Sequence, residues 1–247
     1  MTRASALVFV AWLLGGFISG CVGIGGAMLA VPMAALLLSM HEVILISCIL
    51  NVAMDLGMVL LHWRYCRVKA LWAMWLGAVP GSFLGLSVLL YVPDHVLRII
   101  VGMSLLCFIY WQRFFSVQKR REHAGVGCLA GFVAGILGSA ISFDGPPVGA
   151  YALYAGWQPR EVLGTLGIFF TVRGLLTVFL QWQAGLYTDI VFTCSAFGIP
   201  AAFLGTFLSY PVIKRMRLSV FARLLPLVLT IGAVVCLAEG LISFWRA

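Results

Sequence analysis

Gly16-Phe17-Ile18-Ser19-Gly20-Cys21-Val22-Gly23-Ile24-Gly25-Gly26-Ala27-Met28-Leu29-Ala30-Val31-Pro32 is an apolar run broken repeatedly by glycine and closed by a proline. The pattern returns at Gly131-Phe132-Val133-Ala134-Gly135-Ile136-Leu137-Gly138. A constant shift of 115 carries Gly16, Phe17, Gly20, Gly23 and Pro32 onto Gly131, Phe132, Gly135, Gly138 and Pro147. Glycine weakens a helix entropically and proline removes a donor, so each copy interrupts what would otherwise be one continuous helix. In a membrane protein, matched interruptions in two halves point to a transporter's binding site.

The solvent for this chain has to be lipid. Of 247 residues, 63% are hydrophobic and only 10% charged, with a mean hydropathy of +1.09, whereas soluble domains are about 45–50% apolar. At about 20 residues per crossing, the length accommodates a polytopic bundle with short loops and no soluble domain. The net charge of +8 does not indicate nucleic acid, because most basic residues cluster in two loops between apolar segments, as membrane orientation requires. The seven cysteines are scattered, never as Cys-x-x-Cys, and read as small core or lipid-phase residues. No metal or cofactor is expected. Ile18-Ser19-Gly20-Cys21 imitates a lipoprotein cleavage site, but another apolar segment follows it where a polar tether would be needed, so the residues are expected to stay in the chain.

Apolar segments run over 5–22, 26–40, 43–63, 70–91 and 96–112 in a first half, and over 124–141, 146–157, 160–183, 187–211 and 219–245 in a second. The second segment of each half is too short to cross at 1.5 Å per residue, and is expected to form a hairpin or broken helix buried in protein. The repeat extends further: Glu42-Val43 and Trp63 match Glu161-Val162 and Trp182 at a shift of 119, and Pro80, Phe83, Leu84 and Gly85 match Pro200, Phe203, Leu204 and Gly205 at 120. The expected architecture is therefore an all-α polytopic membrane protein of two repeats, 1–112 and 124–247, joined by a basic cytoplasmic linker, 113–123.

Orientation follows from Lys and Arg. With Arg64, Arg67 and Lys69 placed in the cytoplasm, Arg113, Lys119, Arg120, Arg121, Arg160, Lys214, Arg215, Arg217 and Arg223 fall on the same side, Arg3, Arg98 and Arg246 fall outside, and Arg173 lies within the membrane. The basic loop after the third segment of the first half has no counterpart between Gln183 and Asp189. The halves are thus expected to be inverted, with both termini periplasmic.

Arg173 stands thirteen residues into a 24-residue apolar run, near mid-bilayer. A guanidinium there needs an anion or an interior cavity, and its planar fork suits a carboxylate or an oxyanion. Two readings stay open: an ion pair with Asp55 or Asp144, and contact with a substrate anion. Asp55 shares a helix face with Asn51, four residues earlier; pairing with Arg173 is its default and proton carriage its alternative. Asp144, before Gly145-Pro146-Pro147, reads either as an N-cap or as Arg173's partner. Gly16 with Gly20, and Gly131 with Gly135, are small-xxx-small pairs for close helix packing. Gly23, Gly25 and Gly26, and Gly138 and Gly145, are placed at the breaks, where exposed N–H groups attract anions. The expected substrate-binding set is Gly23, Gly25, Gly26, Asn51, Gly138, Asp144, Gly145, Pro146 and Arg173, with Asp55 and Asp144 as the coupling or ion-pair candidates. Glu239 is assigned no role beyond solvation at the rim. His41, His62, His95 and His123 fall at loop ends, which argues against intramembrane catalysis.

The run Gly20 to Pro32, Gly145-Pro146-Pro147-Val148 followed by Tyr151, the pair Phe169-Phe170 and Gly185-Leu186-Tyr187 together resemble the TauE/SafE family of membrane permeases, over nearly the whole chain. Two departures are Ala27, where the family often has a third glycine, and Asp144, where a small residue is usual. The resemblance implies export of sulfite or an organosulfonate from a bacterial cell. The expected function is alternating-access export of a small anion across the inner membrane. The alternatives are a proton- or sodium-coupled importer of a small sulfur-containing or carboxylate anion, and an anion channel. Expected partners are that substrate and the lipid bilayer, with self-association left open.

Overall fold

The computed structural model describes residues 3–114, 122–213 and 218–246, and among them there are ten α-helices and no strand. These are α1 (Arg3–Val22), α2 (Gly26–Ala34), α3 (Met40–His62), α4 (Val68–Tyr91), α5 (Asp94–Phe114), α6 (Ala124–Ile141), α7 (Gly145–Tyr154), α8 (Pro159–Gln183), α9 (Asp189–Ile213) and α10 (Leu218–Arg246). A short 3-10 turn, Trp63–Tyr65, follows α3. Among the described residues, six stretches are long and apolar enough to cross a bilayer: Arg3–Cys21, Met40–Tyr65, Val68–Tyr91, Ala124–Ile141, Pro159–Gln183 and Asp189–Pro211. This is a multi-pass membrane protein. Lys119, Arg120, Arg121, Lys214, Arg215 and Arg217 lie outside the described residues, as do the side chains of Arg113 and Arg223.

The two short segments form short helices of nine and ten residues, about half a bilayer in length at 1.5 Å per residue. The first is shorter than its hydropathy suggested: α2 stops at Ala34, and Leu36 to Leu38 turn back toward α3. Arg98 fixes that ending, its Nη1 and Nη2 donating to the carbonyls of Ala35 and Leu38 at 3.1 Å each.

The repeated acid found in the sequence caps helices. Glu42 accepts from the Ser39 N–H at 3.0 Å at the start of α3, while Ser39 Oγ accepts from the Glu42 N–H at 3.3 Å. Glu161 accepts from the Gln158 N–H at 2.8 Å at the start of α8. Each carboxylate thereby satisfies a donor at the helix's open end.

Glycine sets how closely the helices approach. A Cβ at Gly131 would lie 1.9 Å from the Met74 carbonyl oxygen, and one at Gly135 2.4 Å from that of Ala78. One at Gly16 would lie 2.5 Å from the Ala202 oxygen, and one at Gly20 2.1 Å from Ser209 Oγ. Both glycine pairs therefore seat backbone against backbone, α6 on α4 and α1 on α9, the packing that lipid favours. Numbers rise together along these two interfaces (Gly77 by Cys128, Gly85 by Ile136; Gly16 by Ala202, Gly20 by Ser209), so the helices run parallel. They run in opposition along α3 and α8 (Gly164 by His62, Gly174 by Val52) and along α5 and α10 (Gly102 by Leu237, Gly240 by Ile99). Exchanging the two halves maps the α1/α9 pair onto α6/α4 and each of the other two pairs onto itself.

An ion cluster sits at each end of α3. At its start, Arg98 donates to Asp94 at 3.0 Å and to Glu239, while Asp94 accepts from the N–H of His41 at 3.2 Å. Glu239 is therefore more than a solvated rim residue: it stays partly exposed, and Arg98 of α5 pairs with it on α10. At the other end Arg67 donates to Glu122 at 2.5 Å and faces Glu161 at 3.4 Å, and Trp157 Nε1 donates to the same Glu122 at 2.6 Å.

Candidate substrate site

The two hairpins, α1–α2 and α6–α7, meet at their tips. A Cβ at Gly145 would lie 3.1 Å from the Cβ of Ile24, and one at Gly149 3.1 Å from Ile24 Cδ1. The first tip is built on left-handed backbone, with φ of 85° at Gly23 and 100° at Gly25, which glycine adopts without cost. In the second tip the left-handed residue is Ser142, φ 63°. Its N–H bonds back to the carbonyl of Gly138 at 3.1 Å, a C-cap made without glycine.

Between the tips lies a cavity of about 30 Å³, lined by Ser19, Gly23 to Met28, Asn51, Met54, Asp55, Ser142 to Gly145 and Phe170. One water needs about 10–15 Å³ by this measure, so the cavity is water-sized. Of the expected residues, Gly23, Gly25, Gly26, Asn51, Asp55, Asp144 and Gly145 line it. Three do not. Pro146 faces an outer groove with Phe108 and Val133, because the first turn of α7 points its prolines away from the tip. Gly138 lies within α6, four residues before the break; its role is to leave room for Arg173, whose Nη1 would sit 2.2 Å from a Cβ there. Arg173 itself stands behind the cavity wall.

Arg173 is 2% exposed and its Nη2 lies 2.5 Å from Asp144 Oδ2. That close contact is a charge pair, with angles short of a well-formed hydrogen bond. Its Nη1 donates to Thr177 Oγ1 at 3.1 Å, and its Nε has no partner. The default pairing with Asp55 is thus corrected: Asp144 takes the arginine. Asp144 does occupy the N-cap position of α7, as its place before Gly145-Pro146 suggested, but its side chain makes no capping bond there. Two carboxylates, Asp55 and Asp144, face the cavity and one guanidinium lies behind the second. Among the described residues Asp55 has no ion pair.

The tips differ as anion sites. The first backbone bond in α2 is from the Leu29 N–H to the Gly25 carbonyl, which leaves the Gly26, Ala27 and Met28 N–H groups at the cavity without carbonyls one turn back. At α7, Pro146 and Pro147 remove two of the equivalent donors. Backbone attraction for an anion therefore comes mainly from α2, and side-chain charge from α6–α8.

Sequence reading missed the buried polar residues around this set. On α3, Ser47, Asn51 and Asp55 recur at intervals of four, as do Arg173, Thr177 and Gln181 on α8. That spacing puts each set on one helix face, and in a lipid-facing sequence it was the available signal.

The site belongs to an integral membrane transporter, with two half-crossing helices, a small polar cavity between them and buried charge at its wall. The family model for sulfite exporter TauE/SafE matches residues 8–236, and the chain belongs to that family of sulfite-exporter-type membrane transporters. Curated proteins and solved structures gave no match.

Proposed function

We propose that this protein exports a small anion, sulfite or an organosulfonate, by alternating access at the hairpin tips. The observation that carries the reading is the small cavity where Gly25–Met28 and Ser142–Gly145 meet, with α2's free N–H groups on one wall and the Asp144–Arg173 pair on the other. The directions of the packed helix pairs support it. Parallel α1/α9 and α4/α6 with antiparallel α3/α8 and α5/α10 support two halves of opposite topology, and in that reading both ends of the chain lie on one side. The basic cluster of Arg64, Arg67 and Lys69 at the opposite side favours a cytoplasmic location for that side and a periplasmic one for the ends.

In this reading an arriving oxyanion competes with Asp144 for the Arg173 fork and accepts from the α2 amides. An inside-negative potential drives a monovalent anion outward by about 2.3 kcal/mol per 100 mV, so export requires no coupling ion. Import would require one, and the unpaired Asp55 is the carboxylate placed to carry it. Proteoliposomes loaded in turn with sulfite and sulfoacetate decide between the two. Export predicts efflux that is saturable, accelerated by an inside-negative potential and indifferent to an imposed pH or sodium gradient. Flux that appears only with such a gradient supports the coupled importer, and flux that never saturates supports a channel.

A further inference from the structure

We propose that the route between the central cavity and the face where α8 ends follows the buried polar seam between α3 and α8, and that Tyr187 closes it; this rests on the anion-transport reading above.

The seam is continuous in side chains. Asn51 Nδ2 donates to Ser142 Oγ at 2.9 Å, and Ser142 Oγ donates to Ser47 Oγ at 2.8 Å. Cys48 Sγ lies 3.9 Å from the same Ser142 Oγ, Gln181 Nε2 reaches Cys48 Sγ at 3.4 Å, and Tyr187 donates through its hydroxyl to Gln181 Oε1 at 3.0 Å. Thr177, bonded to Ser139 at 2.9 Å and to Arg173, joins the seam to the charge pair. Ser47, Gln181 and Ser139 are fully buried, and Thr177 is 1% exposed. These hydroxyls and amides satisfy one another at membrane depth, and a break in the seam would leave them in need of a new partner.

What the seam lacks is as informative. Past Asp55 and Asp144 it holds no carboxylate among the described residues. Its hydroxyl and amide donors can take over the hydration of a small oxyanion without repelling it. On the other side of the cavity the chain supplies an apolar plug instead, with Met58, Leu166, Phe169 and Phe170 packed on Tyr151 and Trp157. Toward the Arg67 end the packing is thus apolar, and toward the other end Tyr187, beside Val178 and Leu186, covers the end of the polar seam. Gly185, at φ 69° with no neighbour within reach of a Cβ, makes the turn that folds Tyr187 back over Gln181. This gives a physical role to Gly185-Leu186-Tyr187.

The test uses a protein keeping Cys48 alone, with the other six cysteines replaced by alanine, reconstituted and treated with an anionic methanethiosulfonate bearing a sulfonate. Tyr187→Ala is expected to accelerate labelling of Cys48 from the α8-end face by roughly tenfold or more, since it removes the hydrogen-bonded closure. In the native-cysteine protein, Gln181→Leu and Thr177→Val are expected to lower anion flux by roughly tenfold each, the equivalent of one charged hydrogen bond, with Thr177→Ser recovering it. Cys48 that stays inert in Tyr187→Ala, or is reached only from the Arg67 end, overturns the proposal. Undiminished flux in folded Gln181→Leu overturns it as well. If the wild-type protein moves none of the anions tested, the transport reading falls, while the labelling result still decides whether the seam opens.

Discussion

Removing one partner from the Arg173–Asp144 pair should be far more damaging than removing both. With Nη2 and Oδ2 2.5 Å apart, the charge centres lie about 4 Å apart, an attraction of about 4 kcal/mol at an effective dielectric of about 20. That figure agrees with the roughly 3–5 kcal/mol lost when one member of a buried pair is deleted. Arg173→Met should leave Asp144 beside Asp55 with no compensating charge, and Asp144→Leu should leave a bare guanidinium at mid-membrane. Each single variant is expected to be strongly destabilised in detergent, followed by thermal unfolding. The double variant replaces the pair with apolar bulk and should regain most of that stability. Transport must not follow stability: all three variants are expected to lose anion flux in proteoliposomes, the double variant included. A folded double variant that moves anion at the wild-type rate would refute the claim that the pair serves the substrate. Singles within about 0.5 kcal/mol of wild type would refute the pair itself.

Other outcomes follow from single contacts. Gly138→Ala places a methyl 2.2 Å from Arg173 Nη1; the guanidinium must leave Asp144, and flux should collapse with a stability loss of about 1–3 kcal/mol, seen by unfolding and transport on one preparation. Gly131→Leu sets a side chain against the Met74 carbonyl, 1.9 Å from the Cβ position, and should prevent α6 from docking on α4, read as loss of a monodisperse peak in size-exclusion chromatography. Arg98→Ala strips the carbonyls of Ala35 and Leu38 and leaves Glu239 unpaired. It should cost about 2 kcal/mol or more and raise amide exchange at the end of α2 while sparing α7.

Much of the fold was legible because lipid simplifies the code: apolar length alone marked the helices, and glycine marked both hairpins. The site was harder. Arg173 announced itself as a buried charge, but its partner did not, because Asp55 and Asp144 are both close by and only the turn at Ser142 decides which one meets the fork. Gly138 and Gly23 align in sequence yet play different parts: Gly23 makes the left-handed turn itself, whereas Gly138 makes room for a side chain from α8. Pro146 looked like part of a binding motif because it adjoins Asp144 and Gly145, but one helical turn aims it at the outer groove. Glu239 and Arg98 lie 141 residues apart, so no local pattern could join them. Of the repeat, Glu42 and Glu161 were found as a match, and their shared work as caps appears only with the backbone in view.

The account depends most on the two hairpin tips being the barrier that parts during transport. Ile24 and Gly145 place their Cβ positions 3.1 Å apart, close to the roughly 3.5–4.5 Å of a disulfide. The direct measurement is flux through Ile24→Cys/Gly145→Cys in a background without native cysteines, oxidised and then reduced. The anion should be an organosulfonate that the wild type carries, because sulfite itself cleaves disulfides. Oxidation should stop flux and reduction should restore it; full flux through the oxidised, cross-linked protein would contradict the account.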